Sequence, residues 1–90
     1  MLFRSQQSAE ELSRAVEVMV VIGGRNSSNT HKLAETCTAH LPEATYHVET
    51  AQELRPEWFV GKKRVGITAG ASTPDYLIRE CVELIQSLPD

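Results

Sequence analysis

Two short stretches of the sequence combine glycines with side chains that donate hydrogen bonds. The first, GGRNSSNT, spans Gly23–Thr30, and the second, TAGAST, spans Thr68–Thr73. Glycine lets a backbone approach a ligand closely, Ser and Asn offer uncharged donors, and the start of a helix offers unpaired N–H groups. A phosphate or diphosphate would satisfy all three kinds of group, so the two stretches predict an anion site.

The candidate binding residues follow from how many side chains helix capping needs. One side chain suffices to cap a helix, so two of Ser27, Ser28 and Asn29 remain available for a ligand. With Thr73 as the cap of the helix after the second stretch, Ser72 is available as well. The candidate residues for an anion site are therefore Ser72 and two of the three residues Ser27, Ser28 and Asn29.

A simpler explanation is that these residues form only caps and turns. Ser and Asn commonly begin helices, and glycine commonly follows a strand. The first stretch lacks the Gly-Lys-Ser/Thr ending of a P-loop and the spacing of a GxGxxG motif, so it matches no general nucleotide fingerprint. Arg25 either meets an anion directly or lies exposed, and the pattern does not choose between these two.

The cysteines and histidines are predicted to be structural or solvated. Cys37 and Cys81 lack CxxC spacing and fall on apolar helix stripes, which favours buried thiols over a zinc site or a disulfide. No metal site is therefore predicted in this chain. His40 at a helix end and His47 in a modest strand need no role. His31 is better placed for one, although a solvated side chain is the favoured interpretation.

Hydrophobic periodicity, caps and breakers predict the elements that position these residues. The predicted strands are a buried one over Val18–Ile22, a more polar one near the sheet edge over Ala44–Glu49, and a third over Arg64–Thr68. Three helices are predicted: the first over Ala9–Val16, the second from Asn29 or Thr30 to His40, and the third over Pro74–Leu88. A capping box that starts at Ser8 precedes the first helix. Two short helical turns are predicted to carry Leu54, Trp58 and Phe59. Residues before the first helix are expected to be frayed.

This alternation of strands and helices predicts an α/β fold. The expected architecture is a small three-layer sandwich with a parallel sheet of three or four strands and βαβ connections. The uninterrupted apolar run Val18–Ile22 is typical of a strand buried on both faces. Ligands of such sheets bind beyond the carboxyl ends of the strands, where neighbouring connections lead to opposite faces. The two glycine-rich stretches would both lie there.

Composition narrows the class of protein. The chain has 90 residues, enough for one domain over residues 1–90, with 41% hydrophobic content, 23% charged content and a net charge of −3. It is too apolar for a disordered chain and not basic enough for a nucleic-acid footprint. No run is long enough to cross a membrane, and the N-terminus lacks the apolar core of a signal peptide. We therefore expect a cytoplasmic protein without a membrane or nucleic-acid partner.

The motifs together resemble a known family. VVIGGRNSSNT, followed one βα unit later by VGITAGASTPDYLI with EWF between them, is similar to the C-terminal third of the 4-hydroxy-3-methylbut-2-enyl diphosphate reductases, the LytB family. The resemblance covers nearly the whole chain and implies a reductase that makes isopentenyl and dimethylallyl diphosphate in the methylerythritol phosphate pathway. It also implies three similar α/β domains, with hydroxyl and amide donors to the diphosphate at Ser27, Ser28, Asn29 and Ser72.

The resemblance further implies an iron-sulfur cluster, held by three cysteines, and ferredoxin or flavodoxin as the electron donor. The family has one of those cysteines just upstream of the first helix, where this chain reads MLFRSQQS. Cys37 and Cys81 do not match ligand positions. We therefore expect this chain by itself to bind no cluster and to catalyse no reduction. Alternatives are a stand-alone anion-binding or regulatory module, and a domain that only completes a protein interface.

Overall fold

The computed structural model describes residues 2–4 and 9–88, and within them the chain forms an α/β sandwich. A four-stranded sheet has the order β1-β4-β2-β3, and every neighbouring pair is parallel. The strands are β1 (Leu2–Arg4), β2 (Val18–Ile22), β3 (Thr45–Val48) and β4 (Val65–Ala69). The helices are α1 (Ala9–Ala15), α2 (Ser28–His40) and α3 (Asp75–Ser87), with 3-10 turns at Ala51–Glu53 and Pro56–Trp58.

Strand β2 is buried along its whole length. All five of its side chains are fully buried, since β3 and β4 flank it and helices cover both faces. Val18, Val20 and Ile22 point to one side of the sheet, and Met19 and Val21 point to the other. The apolar run without alternation is thereby explained, and the prediction of a central parallel strand is confirmed.

The two faces of the sheet carry separate hydrophobic clusters. Helices α1 and α2 cover one face, where Leu12 and Cys37 pack against Met19 and Val21. Helix α3 covers the opposite face, where Cys81 joins Val18, Val20 and Ile22, with Trp58 and Phe59 packed at the margin. The three-layer arrangement was predicted, as was the burial of both cysteines and the satellite role of the two aromatic residues.

The start of the chain differs from the prediction. Residues 2–4 form β1 and pair with β4 in the register Leu2↔Val65 to Arg4↔Ile67, so the expectation of frayed residues before α1 is wrong for this segment. Three residues are too few to show a periodicity, and the partner strand lies more than 60 positions away. The predicted capping box behind α1 includes Ser8, which lies outside the described residues.

Most other boundaries agree with the prediction to within one or two residues. Strand β3 lies at the sheet edge, as its polar composition predicted. The Thr50–Glu53 capping box is present, because Glu53 Oε2 accepts from the Thr50 N–H at 3.2 Å. Helix α3 buries Cys81 but leaves Leu84 38% exposed. Among residues 2–4 and 9–88, no helix is both long and apolar enough to cross a membrane.

Candidate functional site

The loops after β2 and β4 lie against each other at the carboxyl edge of the sheet. The two strands are direct neighbours, and their paired register runs from Val18↔Val65 to Ile22↔Ala69, so both end at the same level. The carbonyl oxygen of Ile22 accepts from Gly70 N–H at 3.0 Å and from the Thr73 hydroxyl at 3.1 Å. These hydrogen bonds hold the second glycine-rich stretch against the end of β2, directly before the first stretch begins.

This edge is also where the chain changes face. The helix after β2, α2, packs on the sheet face that carries Cys37, whereas the helix after β4, α3, packs on the face that carries Cys81. The connections that follow these two neighbouring strands therefore lead to opposite faces of the sheet. Open α/β sheets bind their ligands at such a point, because the N-termini of both helices face the same space.

Ser27 and Ser28 divide the roles of cap and free donor. Ser27 is the N-cap of α2, in extended conformation, and its hydroxyl oxygen accepts from Thr30 N–H at 3.2 Å. Ser28 begins the helix, is exposed, and its hydroxyl has no partner within the described part of the chain. Ser28 thus has its whole hydroxyl available for a ligand, and Ser27 still has its O–H hydrogen to donate, since its cap bond uses only the oxygen as acceptor.

Asn29 connects the two loops directly. Its side-chain oxygen accepts from Ala71 N–H at 2.8 Å, which leaves the amide NH₂ group to donate elsewhere. The sequence predicted two available side chains among Ser27, Ser28 and Asn29, and the structure leaves free the Ser28 hydroxyl, the O–H hydrogen of Ser27 and the NH₂ half of the Asn29 amide. The difference arises because Ala71, 42 residues further along the chain, needs an acceptor at this position.

Thr30 fills the narrow space between the two loops. It is fully buried, and a Cβ atom added to either Gly23 or Gly70 would overlap its hydroxyl. That hydroxyl has no hydrogen-bond partner among the described residues. The two glycines are therefore required by close packing around Thr30, a requirement that their position after each strand did not reveal.

Ser72 lies beside the first loop, but the predicted cap next to it is wrong. Thr73 donates its hydroxyl to Ile22 across the sheet edge instead of capping α3, and the helix begins at Asp75 after Pro74 without a side-chain cap. Ser72 is exposed, and no partner for its hydroxyl lies in residues 2–4 or 9–88. A cleft of about 470 Å³ is lined by residues of three loops: Gly23, Gly24, Glu49, Thr50, Ser72, Thr73, Pro74 and Leu77.

Arg25 is exposed, and its guanidinium is held by two carboxylates. Its Nε lies 3.3 Å from Glu49 Oε1, and its Nη2 pairs with Glu53 Oε1. Its backbone N–H also donates to Glu49 Oε2 at 3.1 Å. The sequence left two options for Arg25, an anion or solvent, and the structure shows an ion-pair network with the loop after β3.

Two histidines contact the backbone of the same loop. His47 Nε2 lies 2.9 Å from the carbonyl oxygen of Gly23, and His31 Nε2 contacts that of Arg25. A carbonyl only accepts, so each of these ring nitrogens must carry a proton. The rings meet edge to face with centroids 5.8 Å apart. Both histidines therefore have a local structural role that their sequence positions did not predict.

The thiols do not fit an iron-sulfur cluster. Cys37 and Cys81 are fully buried on opposite faces of the sheet. Burial raises the pKa of the Cys37 thiol to about 11, and burial, together with Glu80 and Glu53, raises the pKa of Cys81 to about 11. A cluster needs thiolates close together, and no set of three or more metal-binding side chains occurs in the described residues.

Comparison with known sequences gives one family. The profile described as "LytB protein" matches residues 3–86. The 4-hydroxy-3-methylbut-2-enyl diphosphate reductase of Geobacter sulfurreducens is 58% identical over 81 residues, which is 90% of this chain and 28% of that protein. The protein of the same name from Nitratiruptor sp. is 51% identical over 86 residues, which is 96% of this chain and 31% of that protein.

Solved structures agree with the sequence comparison. A structure of (E)-4-hydroxy-3-methyl-but-2-enyl diphosphate reductase, described as the terminal enzyme of the non-mevalonate pathway, superimposes with a TM-score of 0.85 at 53% identity over 90% of this chain. The corresponding reductase of Plasmodium falciparum gives a TM-score of 0.80 at 20% identity, which supports the fold alone. The chain spans less than a third of the length of the relatives it matches.

Proposed function

Because the chain belongs to the LytB family, we propose that it is the diphosphate-binding domain of a reductase for 4-hydroxy-3-methylbut-2-enyl diphosphate. The products would be isopentenyl and dimethylallyl diphosphate, made for isoprenoid biosynthesis. The high sequence identity to reductases of that name supports this proposal. This chain also covers about 28% of the length of those proteins, which fits one of three similar domains. Two further domains of the same protein would complete the enzyme.

The observation that carries the proposal is the hydrogen bond between Asn29 and Ala71. It holds the loop after β2 against the loop after β4, and so brings Ser28 and Ser72 to one edge of the sheet. A diphosphate placed there would receive the Ser28 and Ser72 hydroxyls, the Asn29 NH₂ group and the N–H groups of two helix starts. Ser27 would donate its O–H hydrogen to the diphosphate while its oxygen caps the helix.

The proposed site uses uncharged donors. Arg25 is paired with Glu49 and Glu53, so the charge of the ligand would be met by oriented N–H and O–H groups. A single helix N-terminus contributes about 0.3 to 2 kcal/mol to an anion. We therefore expect the chain by itself to bind diphosphate weakly, with a dissociation constant in the millimolar range.

The iron-sulfur cluster of the full-length enzyme would be supplied by cysteines outside this chain. Neither buried thiol fits it, so the contribution of this domain is to orient the substrate, and we expect the chain alone to be inactive. The cluster would supply electrons to the allylic substrate, with ferredoxin or flavodoxin as their source. We expect the full-length enzyme to be cytoplasmic.

The proposal can be tested with an isotopically labelled chain titrated with inorganic diphosphate. We expect amide shifts confined to the loops after β2 and β4, and a dissociation constant at least threefold higher for Ser28→Ala and for Asn29→Asp. Aspartate retains the oxygen that accepts from Ala71 and favours a helix start, so Asn29→Asp should keep its stability while it repels the anion.

The matched control is Ser87→Ala, in which a serine at the far end of α3 loses its hydroxyl. This variant should bind as the unmodified chain does. If no amide of either loop moves at any diphosphate concentration, the loops are structural and the proposal is wrong. Equal loss of affinity in Ser87→Ala and Ser28→Ala would also contradict it.

A further inference from the structure

The network around Arg25 joins two loops that the sheet alone would leave separate. Glu49 accepts both the backbone N–H and the guanidinium of Arg25. Glu53 pairs with the guanidinium through Oε1, while its Oε2 accepts from Glu49 N–H at 2.9 Å and from Thr50 N–H at 3.2 Å. The loop after β2 and the loop after β3 are thereby held as one unit.

The same network places negative charge in the cleft that Ser72, one of the proposed donors, also lines. Glu49 lines the cleft together with Gly23, Gly24 and Ser72, and the side chain of Glu53 is only 30% exposed. Two carboxylates near a bound diphosphate would repel it, and the repulsion is stronger at a partly buried position than in bulk water. Arg25 carries the positive charge that lies in contact with both carboxylates.

We propose that Arg25 is a positioning residue that offsets the charge of Glu49 and Glu53 beside the site, without itself binding the phosphate groups. The inference rests on the proposed diphosphate site and deepens it. It assigns a role to the one cation in the GGRNSSNT stretch, where direct contact with the anion is the obvious alternative. The two roles differ in what happens when the carboxylates are also neutralised.

The decisive experiment compares Arg25→Gln with the triple variant Arg25→Gln/Glu49→Gln/Glu53→Gln. Glutamine retains a side-chain oxygen, so the backbone N–H groups of Arg25, Glu49 and Thr50 keep an acceptor. Affinity for inorganic diphosphate is measured from the amide shifts of Ser28, Asn29 and Ser72. We expect Arg25→Gln to weaken binding about three- to tenfold at low salt, with a smaller effect at high salt.

The triple variant should recover the affinity of the unmodified chain or exceed it, because the uncompensated carboxylates are gone. Arg25→Lys retains the charge and should stay within about twofold. The control is Arg14→Gln, which removes the same charge from an exposed pair with Glu10 in α1, the helix that leads into the opposite end of β2. It should leave the affinity unchanged.

The outcomes distinguish charge compensation by Arg25 from direct contact of Arg25 with the phosphate and from the absence of any role. A triple variant that binds as weakly as Arg25→Gln shows that Arg25 contacts the phosphate itself, and an unchanged affinity in Arg25→Gln shows that it has no role. Either result overturns the inference while the binding site stands. If the unmodified chain does not bind diphosphate, the proposed function fails first and the inference fails with it. Dispersed amide spectra of every variant establish that each one is folded.

Discussion

Thr30 shows how closely the two loops approach each other. Its side chain lies between Gly23 and Gly70, and a methyl group on either glycine would collide with the threonine hydroxyl. The Thr30 hydroxyl is buried without a hydrogen-bond partner among the described residues, which costs about 1 to 3 kcal/mol of stability. The contact brings the second loop near Asn29, so we infer that the spacing of the candidate donors depends on it.

This packing predicts a rescue between two substitutions. Gly70→Ala should destabilise the fold by about 1 to 3 kcal/mol, because its methyl group overlaps the Thr30 hydroxyl. Thr30→Ala removes that hydroxyl, so in the double variant Gly70→Ala/Thr30→Ala the penalty for Gly70→Ala should fall by at least half. Urea unfolding of the four proteins gives the coupling energy. Additive effects would mean that the two residues do not compete for the same space.

The start of α2 depends on a single side chain. Ser27 caps the helix through Thr30 N–H, and no acidic residue occurs in the first turn to replace it. Helix α3 begins differently, after Pro74 and without a side-chain cap, with Asp75 in its first turn. The two helices at the proposed site therefore begin differently: α2 has a side-chain cap and α3 has none.

Substitution of Ser27 should show how much its role as the helix cap contributes to stability. Ser27→Ala is expected to lower the free energy of unfolding by about 0.5 to 2 kcal/mol, whereas Ser27→Gly should cost only a few tenths. Ser27→Asp retains an acceptor and should match the unmodified chain in stability. Thermal unfolding followed by circular dichroism measures all three. Similar losses in Ser27→Ala and Ser27→Asp would show that the Ser27 hydroxyl is not acting as the cap.

Element boundaries were predictable where the signal is local. The helices and the three longer strands each have their own periodicity or cap, and they appear within one or two residues of the prediction. Strand β1 was missed, since its pairing with β4 depends on contacts far apart in sequence. Thr73 was assigned to α3 because a hydroxyl before Pro74 fits a cap, yet the nearby carbonyl of Ile22 takes its hydrogen bond.

Considered as a whole, the molecule has one sheet between two apolar clusters, and each cluster contains one cysteine. Burial raises the pKa of both thiols from 9.0 to about 11. The folded state therefore keeps these protons in a range where the unfolded chain releases them. The protonated thiols therefore make a contribution to the free energy of unfolding that is complete below about pH 9 and is lost progressively as the pH rises toward about 11.

Stability should therefore fall between about pH 9 and about pH 11, by up to about 1.4 kcal/mol per pH unit for each thiol. Urea unfolding at a series of pH values measures the slope. Lysines and tyrosines titrate in the same range, so the comparison is with Cys37→Ala/Cys81→Ala, whose slope should be shallower. Equal slopes would mean that neither thiol resists ionisation in the folded state. Near neutral pH, both thiols should be alkylated only on unfolding.

The chain's own pattern of residues was enough to predict the parallel α/β architecture and the burial of Cys37 and Cys81, and to single out the two loops that contain the candidate donors. Those features depend on neighbours a few positions apart, and the hydrophobic effect sorts them strand by strand. Folding assigned the partners of Asn29, Arg25 and Thr73, because each hydrogen bond or ion pair joins residues 24 or more positions apart. Which donors remain for a ligand follows from those pairings, since a side chain with a tertiary partner has fewer groups left to offer.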